Sequence, residues 1–120
     1  MRVLLLGAQG QLGTELARTN PGHTLVSHTR SDVDLTDHKA LGRFVRAAAP
    51  DVVLNTVAFN RTELCEEDPL NALAVNTLAP RALAEICCET GAQLLHFSTD
   101  FVFDGRKGAP YAESDVPNPI

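Results

Sequence analysis

Three glycines near the start of the chain have the spacing of a phosphate-binding turn. Gly7, Gly10 and Gly13 form a G-x-x-G-x-x-G pattern directly after the apolar run Val3 to Leu6, and a helical stretch follows. In such a turn the first glycine permits the tight bend, the second lets the backbone approach a pyrophosphate, and the third lets the helix pack on the sheet. The pattern predicts a dinucleotide site, with a plain glycine-rich connection between strand and helix as the alternative.

A second group of candidate residues follows the last predicted strand. Ser98, Thr99 and Asp100 begin a segment that runs to Gly105. Ligands in open parallel sheets bind outside the carboxyl ends of the strands. A hydroxyl group at this position could donate a hydrogen bond to a substrate carbonyl. The alternative is that Ser98 and Thr99 only cap a turn.

Segments with the patterns of strands and helices alternate along the chain. Short apolar runs predict strands, over residues 3–7, 24–28, 52–55 and 94–98. Amphipathic patterns predict helices, over residues 11–19, 37–49 and 68–90. Pro80 is expected to kink or split the last helix, and Gly, Pro and Asp predict a loop from Asp104 onward. We therefore predict an α/β fold, a Rossmann-type doubly wound parallel sheet that is incomplete, with about four strands in the order 3-2-1-4, in one domain over residues 1–120.

Composition narrows the class of protein. The 120 residues carry a net charge of -5, and 44% of them are hydrophobic, as in an ordinary soluble domain. Such an acidic chain is expected to bind neither nucleic acid nor an anionic membrane. Three cysteines, of which Cys87 and Cys88 are adjacent, predict neither a disulfide framework nor a metal site, and they fit a reducing, cytoplasmic location.

Six segments carry motifs that occur together in one enzyme family, at residues 4–13, 32–37, 50–55, 74–76, 96–105 and 110–115. With these motifs, nearly the whole chain resembles the extended short-chain dehydrogenase/reductases, and among them the sugar-nucleotide reductases. The resemblance implies NADP(H) or NAD(H) as the cofactor and a sugar nucleotide as the substrate of the intact protein. The implied reaction is hydride transfer from NAD(P)H to C4 of dTDP-4-dehydro-L-rhamnose, which gives dTDP-L-rhamnose.

The glycine pattern and the resemblance together predict a set of cofactor-binding residues. These are, in chain order, Gly7, Gly10, Gln11, Leu12, Gly13, Arg30, Asp34, Leu35, Val57, Ala58 and Phe59. The resemblance implies that the phosphates lie against Gly10, Gln11 and Leu12 and that adenine lies near Asp34 and Leu35. It also implies that the ribose and the nicotinamide lie along residues 57–59.

The resemblance assigns further roles outside the cofactor site. It implies that Thr99 is the catalytic hydroxyl and contacts the substrate, and that Asp100 contacts the sugar nucleotide. Asn76 matches an asparagine that such folds place on the helix that lines the site. An equally good interpretation of Asn76 is helix packing with a hydrogen bond to the backbone.

Two features of the chain differ from the family pattern. Glu63-Leu64-Cys65 stands where the family usually has an Asp-Lys pair, so the substrate contacts of that loop are in doubt. The family's general acid is a Tyr with a Lys four residues later, whereas Tyr111, the single tyrosine here, is followed at that distance by Asp115. The family spacing places the catalytic Tyr just beyond Ile120.

We therefore expect the chain to bind a dinucleotide weakly and to have little or no reductase activity. Two alternatives remain. One is a catalytically silent, nucleotide-binding or regulatory homologue of the same fold, and the other is a truncated reading frame whose product folds poorly.

The segment after the second predicted strand bears on cofactor choice. Selectivity for NAD typically requires a carboxylate about 20 residues after the first glycine, which accepts a hydrogen bond from the ribose 2′-hydroxyl. Residues 27–30 read Ser-His-Thr-Arg, without a carboxylate, and Arg30 could pair with a 2′-phosphate. The sequence therefore favours NADP(H) or the use of both dinucleotides.

The last predicted strand is expected to be an uncovered edge. Residues 94–97 are mostly apolar, and an apolar edge recruits other chains, so a homo-oligomer is expected. The alternative is that the tail, residues 106–120, folds back over this edge. Its prolines and glycines make regular pairing with the strand difficult.

Overall fold

The computed structural model describes residues 1–119 and contains one four-stranded parallel sheet in the order β2-β1-β3-β4. Ile120 lies outside the described residues. The strands are β1 (Arg2–Leu6), β2 (Thr24–His28), β3 (Val52–Asn55) and β4 (Gln93–His96). The helices are α1 (Gln11–Arg18), α2 (His38–Ala48), α3 (Thr62–Glu67), α4 (Pro69–Leu73), a π-helical turn (Ala74–Leu78), α5 (Ala79–Thr90) and a 3-10 turn (Asp100–Val102). No helix among these residues is both long and apolar enough to cross a membrane.

The predicted fold class is confirmed, and most predicted elements are present with small shifts of their ends. The largest difference concerns the helix predicted over residues 68–90, which is divided into α4, the π-helical turn and α5. Pro80 lies in the first turn of α5, which continues the π-helical turn with right-handed helical backbone at Leu78 and Ala79, so the proline removes one i→i−4 hydrogen bond from a continuous helix. The interruption is the π-helical turn that comes before the proline.

The strand order within this fold differs from the predicted 3-2-1-4, because β3 pairs with β1 and not with β2. The backbone after β2 cannot extend the sheet at its outer edge, since it is folded into turns by Asp32 and Asp34. The chain then returns through α2 to the other side of β1. Leu4, Leu5 and Leu6 of β1 are fully buried, so the most apolar strand occupies a position with neighbours on both sides.

The two faces of the sheet are covered unequally. Alternate residues of β1, Leu4 and Leu6, share one apolar core with buried side chains of α2 and α5. Leu5 points to the opposite face of the sheet, because side chains alternate along a strand. Helix α1, which directly follows β1, lies on that face. On edge strand β4 and just after it, Leu95 and Phe97 are 48% and 47% exposed.

The glycine turn is enclosed between α1 and the end of β3. A Cβ atom on Gly13 would lie 2.1 Å from the carbonyl oxygen of Gly7, so helix and turn touch backbone to backbone. Gly7 has a φ of +82°, and a Cβ atom there would lie 2.7 Å from Thr56 Oγ1. Thr56 Oγ1 donates a 2.7 Å hydrogen bond to the Leu6 carbonyl oxygen, which fixes the hydroxyl. The turn therefore has no space for side chains at its first and third glycines.

Substituting Gly13 by alanine should separate α1 from the turn and lower the free energy of unfolding by about 1–3 kcal/mol or more, as for other overpacked sites. Gly42→Ala is the matched control, because that Cβ would meet the mobile end of the Arg46 side chain at 2.8 Å. Gly42 lies inside α2, where alanine is the better helix former. Urea unfolding of both variants checks this prediction, and equal stabilities would contradict it.

Candidate functional site

A cavity of 360 Å³ lies at the carboxyl ends of β1, β2 and β3. This is where the chain leaves β1 toward one face of the sheet and β3 toward the other, the position at which open α/β sheets bind ligands. Its lining comes from three segments and one helical region, namely Gly7, Gln9, Gly10, His28, Thr29, Arg30, Val33, Asp34, Leu35, Thr36, Thr56, Val57, Ala58, Phe59, Asn71 and Val75. The volume is in the range of small-molecule sites.

The first wall is the glycine turn and the start of α1. Gly10 N–H donates to the Gly7 carbonyl oxygen at 2.9 Å, and Thr14 N–H makes the first helical hydrogen bond, to Gly10, at 2.9 Å. The N–H groups of the intervening residues therefore have no acceptor within α1, as at any helix start. The first turn of α1 carries no acidic residue and has no side-chain cap, so these donors are left for an anion.

The second wall is the segment between β2 and α2, which two carboxylates hold in shape. Asp32 accepts hydrogen bonds from the backbone N–H and the hydroxyl of Thr29, and these bonds lower the pKa of Asp32. Asp34 accepts from the backbone N–H and the hydroxyl of Thr36, which lower the pKa of Asp34 in the same way. Arg30 also lowers the pKa of Asp34, through a weaker electrostatic effect. The segment therefore carries a cation beside an ionised carboxylate.

Apolar anchors hold the same segment against the core. Val33 and Leu35 are buried in the core shared with α2 and α5, while Asp34 between them is exposed. This alternation turns every second side chain outward, toward the solvent-exposed side. The anchors and the two carboxylates together give an irregular loop one conformation.

The third wall, residues 56–59 after β3, is held by two asparagines. Asn55, which is buried, accepts a hydrogen bond from Val57 N–H and donates one to His96 Nδ1 at 3.1 Å. Asn76 Oδ1 accepts from Phe59 N–H and Asn76 Nδ2 donates to the Phe59 carbonyl oxygen, both at 2.8 Å. Two side-chain amides thus take the place of a neighbouring strand and hold this backbone beside the cavity.

Asn76 makes these bonds from within the π-helical turn. Of the two interpretations of Asn76, the structure therefore shows the hydrogen bond to the backbone, and that bond fixes the cavity wall at Phe59. Cys65 Sγ donates to the same carbonyl oxygen at 3.2 Å. Single π-helical turns are frequent at functional sites, because they redirect one side chain within a continuous helix.

The structure brings most of the predicted cofactor residues together and leaves some outside the cavity lining. Gln11, Leu12 and Gly13 lie in the first turn of α1, directly beyond the lining residues Gln9 and Gly10. Thr99 and Asp100 are exposed and are not among the residues that line the cavity. Thr99 Oγ1 accepts a 3.3 Å hydrogen bond from Phe101 N–H, so Thr99 caps the 3-10 turn in this conformation.

The tyrosine of the chain belongs to a local cluster in the tail. Tyr111 donates a hydrogen bond to Asp104 at 3.0 Å and stacks on Phe103 with the ring centroids 4.1 Å apart. The hydrogen bonds that Asp104 accepts, first from Arg106 N–H and then from Asn118 and Tyr111, lower the pKa of its carboxyl. Within the described residues the tail is hydrogen-bonded to Val102 and Asp104, just before it in the chain, and it forms no ladder with β4.

The cavity lining also includes residues for which the sequence analysis predicted no role. They are Gln9, His28, Thr29, Val33, Thr36, Thr56, Asn71 and Val75. His28 and Thr29 stand at the end of a predicted strand, which is the signal that could have identified them. Asn71 and Val75 gave no comparable signal, because they reach the cavity only through the division of the long helix.

Comparison with known proteins gives consistent results along the whole chain. The chain is 40% identical over 121 residues to the dTDP-4-dehydrorhamnose reductase of Burkholderia thailandensis, covering 100% of this chain and 41% of that protein. It is 38% identical over 122 residues to the enzyme of the same name from Mycolicibacterium smegmatis, covering 99% of this chain and 37% of that protein. The chain thus spans about two fifths of the length of these relatives.

Solved structures of similar proteins give the same relationship as the sequence comparison. A dTDP-4-dehydrorhamnose reductase from Clostridium acetobutylicum superposes with a TM-score of 0.92 at 34% identity, over 99% of this chain and 43% of that one. The dTDP-4-dehydrorhamnose reductase of Bacillus anthracis, solved in complex with NADP, has a TM-score of 0.92 at 29% identity, over 99% of this chain and 43% of that one. The family described as RmlD substrate binding domain matches residues 1–120. The chain therefore belongs to the RmlD substrate binding domain family.

Proposed function

We propose that this chain is the NAD(P)-binding part, over residues 1–120, of a cytoplasmic reductase related to dTDP-4-dehydrorhamnose reductase. The observation that carries the proposal is the cavity beside the glycine turn, whose first and third glycines leave no space for a Cβ atom. The intact protein would reduce dTDP-4-dehydro-L-rhamnose to dTDP-L-rhamnose with NADP(H) or NAD(H). The relative from Bacillus anthracis, solved with NADP, supports the choice of cofactor.

The residues present fit a dinucleotide in their chemistry. The pyrophosphate would lie against Gly10, Gln11 and Leu12, and the N–H groups of Gln11 and Leu12 would hold it, since the start of α1 offers unpaired donors and no carboxylate. Asp34 and Leu35 would contact the adenine. The backbone of residues 57–59, which the two asparagines hold in place, would contact the ribose and the nicotinamide.

When bound, the reduced nicotinamide supplies the hydride. Thr99 would donate a hydrogen bond to the substrate carbonyl, and Asp100 would contact the sugar nucleotide. The Thr99 hydroxyl is exposed, and its bonds to Phe101 N–H and to Asp100 are both 3.3 Å long. Bonds of this length are weak, so a substrate oxygen could replace Asp100 as the acceptor of the Thr99 hydroxyl at low cost, while Thr99 still accepts from Phe101 N–H.

A second candidate function is nucleotide binding without turnover, in a silent or regulatory homologue. The observation that favours it is the environment of Tyr111, whose hydroxyl is bonded to Asp104. The residue four positions after Tyr111 is Asp115, and the Lys107 ammonium of this region is paired with Asp115. The Lys107 ammonium lies 5.6 Å from the centroid of the Tyr111 ring, but it is paired with Asp115 and comes before the tyrosine in the chain, so Tyr111 lacks the family's Tyr-x-x-x-Lys arrangement.

A turnover assay tests the activity expected of this chain. With NADPH and dTDP-4-dehydro-L-rhamnose at neutral pH, the chain should bind NADPH and oxidise it far more slowly than an intact reductase. A missing general acid is typically worth about 10²–10⁴-fold in rate. Absorbance of NADPH reports turnover, and its fluorescence reports binding. Turnover comparable to that of an intact reductase would overturn the prediction and indicate Asp100 or His96 as the acid.

Arg30 should favour NADPH over NADH, because its exposed guanidinium lines the cavity and could pair with the 2′-phosphate. Arg30→Ala is expected to weaken NADPH binding by about tenfold, the size of one charge-assisted hydrogen bond, and to leave NADH binding unchanged. The control is Arg81→Ala, since Arg81 is paired with Glu85 on α5 away from the cavity. Titrations in which NADH binds the unaltered chain ten times more tightly than NADPH would reverse this prediction.

We also propose that the chain associates through edge strand β4. The exposed apolar side chains of Leu95 and Phe97 lie beside this edge, and no described residue pairs with its outer side. Light scattering over a concentration series should show a mass that rises with concentration, and Leu95→Lys should reduce the association. The control is Leu70→Lys, an equally apolar and 77% exposed position on α4. A concentration-independent monomer would contradict the proposal.

A further inference from the structure

A buried histidine connects two walls of the cavity. His28 is the last residue of β2, is 1% exposed, and lines the cavity. Its backbone carbonyl oxygen accepts a 3.2 Å hydrogen bond from Ala8 N–H, within the glycine turn. Its Nε2 atom lies 2.9 Å from the carbonyl oxygen of Val33, within the segment between β2 and α2. One residue therefore holds the turn with its backbone and the neighbouring loop with its ring.

The partner of Nε2 determines the tautomer of the ring. Because a carbonyl oxygen can only accept, Nε2 carries the hydrogen in this contact. In the neutral ring Nδ1 is then a bare acceptor, and it is enclosed without a hydrogen-bond partner. Within residues 1–119 it is the one buried side-chain nitrogen or oxygen in that situation.

A hydrocarbon side chain would fill the same position without this unpaired nitrogen. The surroundings are apolar, since the ring of Phe44 contacts His28 edge to face with the centroids 5.2 Å apart. Leucine in this place would still pack against Phe44, but it would leave the Val33 carbonyl oxygen without a donor. What histidine adds is therefore the hydrogen bond to Val33, at the cost of one unsatisfied acceptor.

We propose that His28 is a positioning residue that sets the affinity for the adenosine half of the dinucleotide. It does so by holding Val33, and with it Asp34 and Leu35, at a fixed distance from the glycine turn. The inference rests on the proposed function, in which those two residues contact the adenine. It adds a residue that would touch no substrate and would act through the loop.

Glutamine and asparagine separate this role from packing. Gln carries its amide nitrogen three bonds beyond Cβ, as His carries Nε2, so His28→Gln should still donate to the Val33 carbonyl oxygen. Asn has the same amide one bond shorter and should not reach. His28→Leu removes the donor while it keeps an apolar side chain. The probes are NADPH, adenosine 2′,5′-bisphosphate for the adenosine half, and nicotinamide mononucleotide for the other half.

His28→Leu and His28→Asn should each bind NADPH and adenosine 2′,5′-bisphosphate about tenfold more weakly, the effect of losing one buried hydrogen bond. The affinity for nicotinamide mononucleotide should not change. His28→Gln should bind all three within about threefold of the unaltered chain, a difference below that of a typical hydrogen bond. Hydrogen exchange in residues 29–36 should be faster in the leucine and asparagine variants without any nucleotide.

Several results would overturn the inference. One is a leucine variant that melts at a lower temperature but binds the adenosine bisphosphate as tightly as before, which would show a purely structural role. Equal losses for both halves of the dinucleotide would show a general disturbance. If the leucine variant does not fold, equal affinities of the asparagine and glutamine variants would contradict the inference. An unaltered chain that binds no NADPH would instead contradict the proposed function.

Discussion

The backbone contact between helix α1 and the glycine turn is the constraint on which the site depends. Because Gly13 meets the Gly7 carbonyl oxygen without an intervening side chain, α1 begins at the mouth of the cavity. Because Gly7 is also enclosed by Thr56, the end of β3 lies against the same turn. A larger residue at either glycine would move the helix, the turn and the third wall together, since one close contact sets the distances among all three.

Side chains from other elements hold the irregular backbone around the cavity. Asn55 and Asn76 bond the residues after β3, Asp32 and Asp34 bond the loop after β2, and His28 ties that loop to the end of its strand. In a regular strand the backbone N–H and C=O groups bond to the neighbouring strands. The backbone of a cavity wall cannot be paired with another strand, because that strand would fill the cavity. Polar residues at strand ends therefore act here as substitutes for the missing ladder. This explains why two of them, His28 and Asn55, are buried although they are polar.

The parts of this architecture that were predictable from sequence are those with a local signal. The apolar run of β1 and the glycine spacing predicted the first elements and, with the alternation of strand and helix patterns, the fold class. The strand order depends on which edge of β1 is chosen by β3, and no local pattern encodes that choice. The π-helical turn at Asn76 was equally hidden, because its residues are ordinary helix formers. Thr99 shows a different limit: its oxygen accepts the capping bond from Phe101 N–H while its O–H can still donate, so the two interpretations of this residue do not exclude each other.

The unequal covering of the sheet has a consequence for local unfolding. Most of the buried apolar residues form the core with α2 and α5, whereas α1 buries little besides Gly13. Detachment of α1 therefore exposes little apolar surface and costs less free energy than global unfolding. The donors that we propose to bind phosphate exist only while α1 is docked, so a bound dinucleotide would stabilise that docking by mass action. Protease resistance of α1, Gln11–Arg18, would then report cofactor occupancy, while the other face of the sheet remains folded.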